Sequence, residues 1–159
     1  MRFIISGRPN NCSFTEVKAL LRAADLVLRY MGFNPPHWES VAVKLRAESG
    51  GSAYQNGSIE LCKGAGFSEM ATLVTHELLH LYNNNFAVTE EWLVSSVTSR
   101  IKTDVIDLAN LTMARAGSWA AIKAHCKLTY NQDDQDVYNE DQWTEDHAPS
   151  VKSKTKRRA

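Results

Sequence analysis

The chain has 159 residues with 18 basic and 18 acidic side chains, so its formal charge is zero and net charge names no partner. That length fits one domain with a core of its own and leaves no room for a separate substrate domain. The apolar share of 43% and charged share of 23% are those of a globular protein.

The opening Met1-Arg2-Phe3-Ile4-Ile5-Ser6-Gly7 is too short an apolar stretch for a signal-peptide core, and no window is long and apolar enough to cross a bilayer. A cytoplasmic protein without membrane contact is expected. Cys12, Cys62 and Cys126 are odd in number and widely spaced, which fits free thiols in a reducing compartment.

Ser13 and Glu16 make the Ser-x-x-Glu pattern of a capping box, so a helix starts here. Val17, Leu20, Leu21, Ala24, Val27, Leu28 and Met31 recur at helical spacing behind it. Gly32 is its stop, and Pro35-Pro36 prevents resumption. Alternation over Val41 to Arg46 predicts a half-buried strand. After the turn at Gly50-Gly51, two short strands flank Asn56-Gly57 as a hairpin, the second running from Ser58 to Cys62.

A second helix is predicted from about Ser68, read as its N-cap, to Tyr82. Asn83-Asn84-Asn85 stops it, because asparagine favours turns. Thr89 caps a third helix reaching about Ala116, with Glu90 and Glu91 near its positive end. Ser118 to Lys127 is a candidate fourth helix. From about Asn131 the chain turns polar and segregates its charge. Seven acids lie between Asp133 and Asp146 with no Lys or Arg, and five basic residues follow from Lys152 to Arg158. Residues 131–159 therefore read as a disordered tail, and 1–130 as the folded domain. The basic end reads as solvated and the acids beside it compete for it, so no nucleic-acid partner is expected.

The segment that carries chemistry is His76-Glu77-Leu78-Leu79-His80. On a helix, residues four apart share a face, so both imidazoles can reach one Zn²⁺. Glu77 projects beside them, where it can take a proton from water held by the metal and return it to a leaving amine. The flanking Val74, Leu78, Leu79 and Leu81 put these polar groups at least partly inside, and a metal with its water satisfies all three.

A third ligand must follow. The metzincin pattern needs Gly at 83 and His at 86, but the chain has Asn83 and Phe86. The zinc-dependent endoribonucleases of rRNA maturation also need that His at 86. His125 and His147 lie far along the chain. The remaining donors are the acids that open the third helix, which a short loop brings back beside His80. An apolar stripe over Leu93, Val97, Ile101 and Leu108 includes position 90, and Glu91 is turned about 100° from it. The spacing therefore favours Glu90 over Glu91 as ligand; otherwise both are an ordinary acidic first turn.

With His76, Glu77, His80 and a downstream helical Glu in place, residues 14–108 resemble a minimal gluzincin-type zinc metallopeptidase of the small bacterial and phage type. The resemblance implies a zincin-like α+β fold, in which an N-terminal helix and small sheet precede an active-site helix pair. It implies Zn²⁺ held by His76, His80 and Glu90. It further implies hydrolysis of a peptide or protein substrate with Glu77 as general base, and a monomer is expected. Gly57 to Leu61 resembles the edge strand on which such folds bind an extended peptide. The alternative is a catalytically inactive zincin-fold regulatory or binding module with a structural zinc. Tyr54, Tyr82 and Tyr130 are the candidates, by chemistry alone, to steady an oxyanion.

Overall fold

A computed structural model describes residues 2–35, 39–54, 56–82 and 91–114, together with His125. The fourth helix (apart from His125, which is helical), the boundary near 130, the tail, Tyr130 and the segment 83–90 lie outside the described residues. Among those described, the fold is α+β. Three helices and four strands follow the order β1 (Arg2–Ser6), α1 (Phe14–Tyr30), β2 (Ser40–Arg46), β3 (Gly51–Ala53), β4 (Ser58–Cys62), α2 (Phe67–Leu81) and α3 (Glu91–Met113). No helix among them is long and apolar enough to cross a membrane.

The capping box forms as the sequence predicts. Glu16 N–H donates to Ser13 Oγ at 3.0 Å, and Ser13 N–H donates to Glu16 Oε1 at 2.7 Å. Helix α1 ends at Met31, and Gly32 follows with φ 93°. The Asn56-Gly57 turn also forms, with Gly57 at φ 85°, a conformation that glycine adopts without steric cost.

The N-terminal segment belongs to the sheet. β1 pairs parallel with β2 from Arg2↔Ser40 to Ser6↔Lys44, and α1 is the crossover between them. β2 pairs parallel with β4, and β3 pairs antiparallel with β4, giving the order β1-β2-β4-β3. This order corrects the expected edge. The segment Gly57 to Leu61 forms an interior strand, because β4 inserts between β2 and β3, and β3 is the edge. The reason lies in β4 itself: Ser58, Ile59 and Leu61 are all buried, which suits a strand with neighbours on both sides.

One sheet face packs against the helices. Val41, Val43 and Leu45 of β2 point into that core, and Ala42, Lys44 and Arg46 point away from it. Helix α2 contacts α1, α3, β3 and β4, and most of its surface is buried. It starts from Gly66, with no side-chain cap bond, so Ser68 lies inside the helix and is not its N-cap.

A buried polar link ties the end of α2 to α1. Tyr82 is fully buried and its hydroxyl donates to Asp25 Oδ1; Arg29 Nε donates to the same oxygen at 2.8 Å. Burial and the Asp25 charge push the Tyr82 phenol well above its ordinary range, so it stays a donor. Removing that donor leaves a buried carboxylate short of a partner. Tyr82→Phe should lower stability by about 1–3 kcal/mol, read as a lower urea midpoint at unchanged slope. An unchanged midpoint would mean that the hydroxyl contributes nothing.

Candidate metal centre

The site is set by the last two turns of α2. His76, Glu77 and His80 offer ligand atoms that all lie within 4.8 Å of one another. Helical spacing sets the two rings edge to face, with centroids 4.9 Å apart and planes at 68°. Their Nε2 atoms are 3.3 Å apart. Two nitrogens bound to one tetrahedral zinc at about 2.0–2.1 Å would be separated by about 3.3 Å, so the spacing of the imidazole nitrogens matches that of a shared ion.

A carboxylate closes the group from the neighbouring helix. Glu91 Oε2 lies 2.8 Å from His76 Nε2, and Glu91 Oε1 lies 2.9 Å from His80 Nε2. The register of α3 explains why position 91 arrives here. Its buried residues are Val94, Thr98, Ile101, Val105, Leu108 and Ala109, whereas Leu93 is exposed. Position 91 lies three residues before Val94 and seven before Thr98, on the same face. The stripe expected over Leu93 and Val97 is thus rotated by one residue. Glu90 lies outside the described residues.

Glu77 is buried, with only 5% of its surface exposed. Burial, and then the charge of Glu91, push its carboxyl from the usual range up to about 7. It lines a cavity of about 290 Å³ with Gly51, Ser52, Ala53, His76, His80 and Glu91. Strand β3 therefore forms one wall of the cavity, and the α2–α3 pair forms the other.

No family model, curated protein or solved structure matches the chain.

Sequence reading identified the α2 triad but not the β3 wall, because Gly50-Gly51 read only as a turn. The tyrosines stand elsewhere. The Tyr54 hydroxyl donates to Glu60 Oε1 at 2.9 Å, and Tyr82 is committed to Asp25. Neither lines the cavity.

Glu77 also sets a pH dependence for the metal-free chain. Its folded pKa is raised above the unfolded value of about 4.5, so the folded state binds the proton more tightly. Stability is then highest below the unfolded pKa and falls as pH rises through about 7, by up to about 3 kcal/mol. Glu77→Gln removes this loss. Denaturant titrations of chelator-treated protein should find the variant more stable than the parent at pH 8, with the gap closing toward pH 4.5. An equal gap at both values would contradict the assignment.

Proposed function

We propose that the chain is a zinc-dependent peptidase of the gluzincin type. The observation that carries this reading is the convergence of His76 Nε2, His80 Nε2 and the Glu91 carboxylate beside buried Glu77, in a cavity walled by β3. Two imidazoles and a carboxylate make the donor set of a three-ligand catalytic zinc with one position left for water or substrate. The third ligand in this reading is Glu91, since its oxygens already face both rings.

Bound zinc would supply Lewis acidity, polarising the scissile carbonyl and making water a better acid. The protein's own groups do the rest. Glu77 takes a proton from the attacking water and delivers it to the leaving amine. A carboxylate within reach of both the water and the leaving nitrogen can do both within one turnover. Burial excludes competing water and strengthens every charge interaction around the carboxylate.

β3 supports a peptide substrate over a small molecule. Among the described residues it pairs with β4 alone and lies at the sheet edge, beside the cavity. An extended peptide can add to such an edge by backbone hydrogen bonds. Gly51, Ser52 and Ala53 keep that wall low, so its selectivity comes from the backbone more than from a deep side-chain pocket.

Glu77→Gln keeps the shape and removes the base. Zinc content should stay at the parent level, while turnover of a cleaved peptide falls by about 10²–10⁴-fold. Unchanged turnover would rule out Glu77 as the base. Elemental analysis separates the neighbouring acids: Glu91→Ala should lose zinc and Glu90→Ala should keep it. The opposite pattern would return the ligand to Glu90.

A further inference from the structure

Gly51 begins β3 directly over the Glu77 carboxylate. Its backbone is not left-handed, since the glycines with positive φ are Gly7, Gly32, Gly50 and Gly57. Conformation alone therefore does not demand glycine at position 51; space does. A Cβ placed here would lie 2.8 Å from Glu77 Oε2, 3.1 Å from Glu77 Cγ and 2.9 Å from the Glu60 carbonyl oxygen. Two of these three contacts are to one side chain, the proposed base.

We propose that Gly51 is a positioning residue for Glu77: its missing side chain lets the β3 backbone close over the carboxylate and hold it on the imidazole side of the cavity. The proposal rests on reading Glu77 as the general base. A glutamate has three side-chain torsions and would otherwise sample several rotamers. Here β3 occupies the space on one side, and the Glu91 charge repels the carboxylate from another. A side chain at 51 forces one of two changes. Either Glu77 swings away from the water it serves, or β3 lifts and the cavity wall moves with it. The His76, His80 and Glu91 contacts do not involve position 51, so metal binding is spared in the first case.

The test has two arms on the full chain. The first needs neither metal nor activity. Denaturant unfolding of chelator-treated parent, Gly51→Ala, Glu77→Ala and the double variant forms a cycle at neutral pH. Gly51→Ala should lower the folding equilibrium constant at least tenfold more in the parent than in the Glu77→Ala background. Equal losses would overturn the proposal, because the new methyl group would then be meeting only the Glu60 carbonyl. If Gly51→Ala does not fold alone, recovery of folding in the Glu77→Ala background supports the contact, and no recovery overturns it.

The second arm uses zinc-loaded protein and a peptide that the parent cleaves. Gly51→Ala should lower kcat about a hundredfold, the loss expected from a misplacement of about 1 Å, with KM and zinc content within about twofold of the parent. A parental kcat would overturn the positioning role. If the parent cleaves no peptide, the peptidase reading fails by itself, and the unfolding cycle still decides whether Gly51 makes room for Glu77.

Discussion

Almost everything in this structure depends on the burial of one helix. α2 contacts both other helices and two strands, so it has no broad polar face to turn toward water. His80 and Glu77 are carried into the interior with it. A buried carboxylate beside a second carboxylate is costly unless something compensates for it. Protonation is one form of compensation, and burial and the Glu91 charge push the Glu77 carboxyl up to about 7 in that direction. A divalent cation between the imidazoles and Glu91 is the other. One feature of the packing thus leaves a carboxyl group that holds its proton unusually tightly beside two imidazoles and a second carboxylate.

The rest of the fold holds the partners of that helix in register. Asp25, Tyr82 and Arg29 fix the end of α2 against α1 just beyond His80. The Val94–Thr98–Ile101–Val105 face of α3 seats on the core and delivers Glu91 to the rings. β4, held between β2 and β3, carries the short edge strand to the cavity. The three sides of the site are positioned by three different packing arrangements, most of them made by residues outside the site.

This division explains what could be read from the sequence. α1 was legible because its capping box and apolar spacing are local signals, and the structure contains both. The His76-Glu77-His80 cluster was legible because helical spacing alone brings those side chains together. β1 was not, since a short apolar start shows no partner until β2 pairs with it. The edge strand differs from the sequence expectation because sheet order is a long-range property: β4 and β3 look equally like edges until β2 pairs with one of them. Ile101 and Leu108 lie on the core face as their spacing predicts, but at the start of α3 the face shifts to Val94 and Thr98, because Thr98 looks polar in sequence and yet is buried. Asp25, an acid set among Leu21, Leu26 and Leu28, is the available sign of a buried polar link; its partner Arg29 lies at helical i,i+4 spacing, whereas Tyr82 comes from a distant part of the chain.

In the proposed site His76, His80 and Glu91 hold one zinc ion. X-ray absorption spectroscopy of the zinc-loaded chain tests it most directly, because it reads ligand type and distance without needing a substrate. The expected spectrum is that of a stoichiometric ion with two imidazole nitrogens and oxygen neighbours, all at about 2.0–2.2 Å, and no sulfur. A sulfur shell at about 2.3 Å, which would bring in a cysteine, or a spectrum without imidazole scattering would contradict it.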